Sequence, residues 1–586
     1  MKKRNYIFTI LILMIALSAS SIQAQKLAFP TAEGFGKFST GGRGGKVIEV
    51  TNLGDYTGTD SIRGTLRWAL NQYPGQPLTV VFKTSGIIVL NSAIRCGRNG
   101  LTIAGQTAPG DGICVRGGQF NLGSAQNLII RHIRFRIGLS NGNTGGFLVG
   151  GSVDFENGSQ AIFDHCDFGW AGEENITMYD DHYVTVQWSV LHEGLYASGH
   201  EKGARSYGAQ WGGSPATMHH NIFAHNVTRS GRFNGSSNAL GDLHVLIDFA
   251  NNVDYNWGKT NSCYGGEREA GRLSTHQVNF VGNYYKPGPT TPTSGSSFIA
   301  QSAARSGYVS TGPSYWYLSG NIMEGDDVGT ADNWHAFQNG SIYPTDSLKR
   351  LSPITIPDQY KITYTSAQDA YQAVLAHAGA FPRDTVDRRI MHEVATKTAI
   401  GTSTVQFYHD GTDTTVLYTN PYYGKTVGII DQPAGAGGYP TYNTYNTITD
   451  ADHDGMDDVW ELANGLDPTN PNDRNLLTAD GYTALEVYLN SLVGENIVHN
   501  FAPSAVQLVP AHNISVYPSI TTDKLTLTSD VSLKWASIYS IEGTKVLNVT
   551  LGSSKTIDVI SLARGCYILE VSTLDGAVER LKFIKK

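Results

Sequence analysis

A weak repeat constrains this chain more than any single motif. From Ala28 to about Met323, an apolar alternation is followed by His or Asn and then by another apolar pair. The clearest copies are Ile129-Ile130-Arg131-His132-Ile133, Ile162-Phe163-Asp164-His165-Cys166 and Met218-His219-His220-Asn221-Ile222; Asn252-Val253, Asn283-Tyr284 and Asn321-Ile322 continue them. Most neighbouring copies lie about 31 to 38 residues apart, with one wider gap, which is a solenoid period. A unit that short cannot bury its apolar face alone, so the copies must stack. Short strands, frequent Gly and no long helical periodicity favour a right-handed parallel β-helix over stacked helical repeats. The recurring Asn and His are then expected to stack rung on rung at the turns, bonding backbone groups otherwise left unsatisfied. By that logic His132, His165, His219 and His220 are structural rather than catalytic.

The chain has 586 residues, too many for one hydrophobic core. Its 66 Gly and 30 Tyr, with 16% charged residues, suit a turn-rich all-β protein. A net charge of −8 argues against bulk attraction to nucleic acid or to an anionic membrane. An acidic substrate would therefore need a local basic patch. Lys2, Lys3 and Arg4 precede an apolar run from Tyr6 to Leu17, and small residues follow. This is the pattern of a secretory signal with a cut after Ala24. No later run is apolar and long enough to span a membrane. Of the five cysteines, Cys96 and Cys114 could form a disulfide in an exported protein or sit as two small core residues. The Gly-rich run ending in Gly45-Lys46 is a poor phosphate loop, because its spacing fails and Val47 replaces the required hydroxyl residue.

The segment from Gln160 to Arg232 carries the chemistry. It holds Asp164-His165, the acidic pair Glu173-Glu174, His200-Glu201-Lys202-Gly203 and a closing Arg229-Ser230-Gly231-Arg232, separated by apolar bursts of strand length. Carboxylates, a lysine and two arginines on successive strand-sized segments suggest a cleft that handles an acidic polymer with a metal ion. The run "FDHCDFGW…EEN…VTVQWSVLHEGL…HEKG…QWGG…HHNIFAHNVTRSGRF" resembles the pectate lyase family of polysaccharide lyases, in the form common among Bacteroidetes-type bacteria. "FPTAEGFGKFSTGGRGGKVIEVTNL" resembles that family's first β-helix turn. "TIAGQTAPGDGI" and the helical "AYQAVLAHAGAFPRDTVDRRI" extend the likeness over roughly Ala28 to Gly401.

The resemblance implies β-elimination on pectate, an acidic plant polysaccharide, with Ca2+ as cofactor. A uronate C5 proton is barely acidic while its carboxylate keeps full charge, so a cation and flanking Lys or Arg must neutralise it. The family pattern points to Arg229 as base, with Lys202 beside the substrate carboxylate. Gly231 stands where Pro is usual and Asn234 where a second Arg often lies, with Arg232 as its substitute. Glu173 and Glu174 fall at an acidic ligand position, and Asp154 lies near another. A third ligand position holds Thr177. Crowding by calcium, Lys202 and Arg232 is expected to lower the pKa of Arg229.

Beyond a Tyr/Thr/Asn-rich linker, Asp450, Asp452 and Asp454 with Gly455 and Glu461 fit a helix–loop–helix calcium pattern at positions one, three, five, six and twelve. This calcium is expected to be structural. From about Ser515 the chain alternates apolar and polar residues between turn signals, as a small β-sandwich does. "VYPS…IYSIEGTKV…LARGCYILEV" resembles the C-terminal sorting domain of the type IX secretion system. That implies handling by the secretion machinery and a secreted or outer-membrane-surface location.

The expected architecture is thus all-β. A signal peptide (1–24) is followed by a parallel β-helix with a helical segment (25–430), an EF-hand-like module (440–495) and a β-sandwich (510–586), acting as a monomer. Other readings stay open: a pectin or rhamnogalacturonan lyase, a glycoside hydrolase on a similar β-helix, which would gather two or three Asp across neighbouring rungs, and a non-catalytic glycan-binding β-helix.

Overall fold

The computed structural model describes residues 25–501, apart from 59–60, 139–150, 235–243, 267–274, 294–297, 304–312, 342 and 411–412. It also describes 514–586, apart from 541–543, 552–553 and 575–577. The segment read as a signal peptide lies outside the described residues. The chain divides into two compact units, one ending at Phe501 and one starting at Ala502.

Among the described residues, the first unit is built on three parallel sheets of ten, nine and nine strands, in which each strand pairs with its counterpart one coil away. This is the stacked β-helix expected from the repeat. The inward column of the ten-stranded sheet runs Val80, Ile103, Ile130, Phe163, Val186, Met218, Phe249 and Phe280 in strict register. All are buried. Each such side chain contributes roughly 1.5–3 kcal/mol by leaving water.

The turns obey the expected Asn logic. The backbone N–H of Asn221 donates to Asn252 Oδ1 (3.0 Å), that of Asn252 to Asn283 Oδ1 (2.9 Å) and that of Asn283 to Asn321 Oδ1 (2.9 Å). The imidazoles stack as well: His132 on His165 (5.0 Å between centroids), His165 on Trp188 (6.1 Å) and Trp188 on His220 (4.4 Å). Trp188 fills the wider gap in the sequence repeat. It belongs to a full coil, with its strand at His182–Gln187, that carries neither His nor Asn at the marker position. His132, His165, Trp188 and His220 all adopt positive φ of 50–53°.

Two expectations change, and the open choice at Cys96 and Cys114 is resolved. The Gly-rich N-terminal segment is not the first coil. It runs along the outside of the ten-stranded sheet, where the Gly36 N–H donates to Thr185 Oγ1 (2.8 Å) and the Phe35 N–H to Thr217 Oγ1 (3.2 Å). A Cβ on Gly36 would sit 2.1 Å from the Ala161 carbonyl oxygen, so only glycine permits this approach. The first strand is Lys46–Val50. Cys96 and Cys114 are unpaired and buried. Cys96 joins the interior core, whereas Cys114 lies among the charges of Arg136, Asp384 and Arg134. The calcium pattern lacks its incoming helix, because the chain before Asp450 is irregular and only Asp458–Ala463 follows as helix.

The expected helical segment is two helices, Ala367–His377 and Thr385–Thr396. They dock on the third sheet over an apolar cluster that includes Val190, Ile222, Val253, Val374 and Ile390. Buried charges fix the register: Arg136 reaches Asp167 (2.8 Å) and Asp384 (2.6 Å), Arg134 reaches Asp387 (3.0 Å), and Arg389 reaches Glu193 (2.8 Å). Residues 456–501 share a second core with Val81 and Ala104 of the β-helix. Taken by itself, the second unit pairs a three-stranded with a five-stranded sheet over a core that includes Leu525, Ile538, Leu569 and Phe583.

Candidate active site

The outward face of one nine-stranded sheet forms the floor of a cleft of about 830 Å³. Strand alternation and exact stacking place one polar column along it: Asn121, Asp154, Thr177, Gln210, Arg232, Tyr264 and Gln301. Beside this column stand Glu173, Glu174, Lys202, Arg205 and Arg229. The cleft therefore gathers Lys202, Arg229 and Arg232, together with Asp154, Glu173 and Glu174.

Arg229 stands on the turn that enters Gly231–Phe233, with φ +62°, its carbonyl accepting from the Ala209 N–H (2.6 Å). Its Nη1 bonds Glu174 Oε1, and its Nε donates to Tyr264 Oη (3.0 Å). The guanidinium lies 4.0 Å above the Tyr207 ring. Burial alone would depress this cation, but Glu174, Tyr264 and Tyr207 outweigh burial and hold it above its ordinary value. Glu174 thus opposes the depression expected from calcium, Lys202 and Arg232. The group nearest the guanidinium is a carboxylate, not another cation.

The acidic pair is divided. Glu174 turns to Arg229, while Glu173 faces Lys202 (3.2 Å), His200 (3.6 Å) and Arg205 (3.8 Å). Burial opposes the charge on Glu173, yet the His200 and Lys202 contacts bring its carboxyl down to about 2. His200 Nδ1 accepts from the Lys202 N–H (3.0 Å), which leaves Nε2 for Glu173 and orients the loop. Asp154 has the opposite fate. Burial, then Glu156 and Glu174, push it up to about 7 against the bonds from Thr177 and Asn121.

Asp154, Glu173 and Glu174 share this cleft, but among the described residues no three of its carboxylates bring ligand oxygens within 4.8 Å of one another. Thr177 holds the column position between Asp154 and Gln210 and brings no charge, and the cationic loop holds Glu173 aside. Asp154 and Glu174 remain as a pair whose repulsion a hard cation would relieve. Gly231 has a local reason, since a Cβ there would meet the Phe233 ring at 2.7 Å. Asn234 contributes its carbonyl, which accepts from Gln210 Nε2, and its position lines the cleft. Arg232 is buried with its guanidinium 4.6 Å from the Tyr264 ring.

Arg205, Glu156, Gln210, Tyr207 and Tyr264 were missed from sequence. Arg205 was findable, three residues past Lys202; the tyrosines carry no local signal and arrive only through register.

The chain is 32% identical over 487 residues to a protein named probable pectate lyase C from Aspergillus flavus, covering 82% of this chain and 97% of that one. The chain belongs to the pectate lyase family. A second relative, named probable pectate lyase C from Emericella nidulans, is 31% identical over 471 residues, covering 80% of this chain and 93% of that protein. As a member of that family, the chain is an enzyme of the polysaccharide lyase class. Its residues 515–586 match the family described as a secretion system C-terminal sorting domain. Similar solved structures include a pectate lyase from Bacillus sp. N165 in complex with trigalacturonate (18% identity, TM-score 0.36, 60% of this chain and 98% of that one). Another is pectate lyase C from Erwinia chrysanthemi with Ca2+ (14% identity, TM-score 0.34, 60% and 97%). Among the described residues, no helix is long and apolar enough to cross a membrane.

The acidic loop of residues 450–461 is a separate centre. Asp450, Asp452 and Asp454 bring ligand oxygens within 4.8 Å of one another. Both carboxylate oxygens of Asp452 and of Glu461 are buried without a partner, as is Asp454 Oδ2. Such a donor set fits a divalent cation with hard oxygen ligands.

Proposed function

We propose that this chain cleaves de-esterified homogalacturonan by calcium-assisted β-elimination and is exported through the type IX secretion machinery. One observation carries the reading: three cations, Lys202, Arg229 and Arg232, share a single cleft with Asp154 and Glu174. A glycoside hydrolase would instead need a pair of carboxyl groups flanking the bond and no such basic wall.

Asp154 and Glu174 would hold the calcium ion, which supplies a positive charge against the uronate carboxylate and so acidifies its C5–H. Lys202, 59% exposed at the cleft edge, pairs with the same carboxylate. Arg232 backs it from the floor. As Glu174 turns from Arg229 to the cation, the guanidinium gives one proton to solvent, and the neutral guanidine then takes the C5 proton. The electron pair forms C4=C5, the C4–O bond breaks, and the departing oxygen takes a proton from solvent. Tyr207 and Tyr264 fix the guanidinium plane throughout. Glu173 positions Lys202.

The test is the formation of an ultraviolet-absorbing unsaturated product from polygalacturonate, with and without calcium. Efficient cleavage of fully methyl-esterified pectin without calcium would sink this reading, as would reducing ends without unsaturation.

A further inference from the structure

We propose that Asp473 is a fifth carboxylate ligand of the cation in the 450–461 loop. It takes the place that the loop's own ninth residue, Asp458, gives up. A linear calcium loop draws its ligands from within twelve residues, the ninth often acting through water. Here Asp458 Oδ1 accepts the Ala451 N–H (2.9 Å), so its carboxylate closes the loop backbone. The ninth position is met from elsewhere. After the helix Asp458–Ala463, Gly465 turns the chain at φ +77°, and the Leu466 N–H bonds back to the Glu461 carbonyl (2.9 Å). This return carries Asp473 over the cluster.

Asp454, Glu461 and Asp473 form a second triad with ligand oxygens within 4.8 Å of one another, sharing Asp454 with the first triad. Glu461 is fully buried and Asp473 is 6% exposed. Asp473 Oδ2 accepts the Asp467 N–H (2.8 Å), which fixes the carboxylate, while Oδ1 is buried without a partner. Buried carboxylate oxygens do not go unpaired without cost. Asp452, Asp454, Glu461 and Asp473, which carry these unpaired oxygens, all belong to the two triads. Calcium takes six to eight oxygens, and extra protein carboxylates favour it over magnesium, which retains its waters.

The experiment uses the full chain stripped of metal, titrated calorimetrically with calcium and melted in parallel with chelator and with calcium. Glu461→Gln identifies the binding phase that belongs to the loop. Asp473→Asn keeps the acceptor for the Asp467 N–H while removing the charge. The expected result is calcium binding weakened about tenfold or more, with most of the calcium-dependent rise in Tm lost. Asp458→Asn should stay within about threefold of wild type, because its acceptor role survives in the amide. Wild-type calcium affinity in Asp473→Asn would overturn the assignment, as would an equal loss in Asp458→Asn. If Asp473→Asn melts below wild type even in chelator, Asp473→Glu decides: recovery of calcium affinity by the longer carboxylate supports ligation, and no recovery refutes it.

Discussion

Replacing Arg229 by lysine separates a base from a clamp. The variant keeps a cation against Glu174 but loses the Nε–Tyr264 hydrogen bond of 3.0 Å and the planar stacking 4.0 Å above Tyr207. Those losses amount to about 1 kcal/mol for the hydrogen bond and roughly 0.5–2 kcal/mol for the stacking. The fold should survive with a modest fall in Tm. Catalysis should not. Misplacing a proton acceptor removes a contribution of about 10² to 10⁴ in rate, equivalent to roughly 3–5 kcal/mol of barrier. The loss should fall on kcat, with KM moving less than about threefold, because Lys202 and Arg232 still meet the carboxylate. Arg229→Ala should be worse for stability, since it leaves Glu174 buried without its partner at a cost of about 3–5 kcal/mol. Initial rates of unsaturated product over a range of polygalacturonate concentrations give kcat and KM separately. A variant that kept most of its kcat while KM rose would make Arg229 a substrate clamp and refute the assignment.

Asn252→Ala should destabilise the β-helix by roughly 3–6 kcal/mol. It removes bonds to the Asn221 N–H, the Met218 carbonyl and Asn283, leaving buried groups unpaired; an unchanged melt would count against the ladder. Asp452→Ala with Asp454→Ala should abolish the calcium-dependent stabilisation of residues 450–501 while leaving lyase turnover near wild type. Glu174→Gln should do the reverse, and equal loss of activity in both would reject two separate centres. Stability should also fall on the alkaline side. Burial alone would lower His192, but Asp167 outweighs it and raises the imidazole to about 9. A folded-state value above the unfolded one gives stability that is complete below about 6.5 and lost as pH rises through about 9. The upper bound is roughly 3 kcal/mol. His192→Gln should flatten Tm against pH over that window, and an unchanged slope would place the titration elsewhere.

The repeat made the solenoid legible, because each coil must place an apolar side chain inward and a hydrogen-bonding residue at its turn. His132, His165, His220, Asn221, Asn252 and Asn283 therefore announced their rungs in order. Trp188 did not, since an aromatic ring fills the same stacking position without the polar marker. The acidic cluster was likewise legible, because Asp450, Asp452, Asp454 and Glu461 all fall within one twelve-residue stretch, so their spacing alone announces carboxylates that converge.

What the sequence could not supply was everything set by register between distant segments. Tyr264 meets Arg229 across 35 residues, and Glu174 meets it across 55. Neither pairing has a local signature, and the second opposes the expected lowering of the Arg229 pKa. Asp473 returns to the loop through a turn whose residues read as an ordinary Pro/Asn-rich connection. Local spacing encodes the coil and the loop because both are built from neighbours along the chain. The cleft is decided by stacking, since a side chain's electrostatic partners there are whichever groups the adjacent rungs, about 4.8 Å apart, bring beside it.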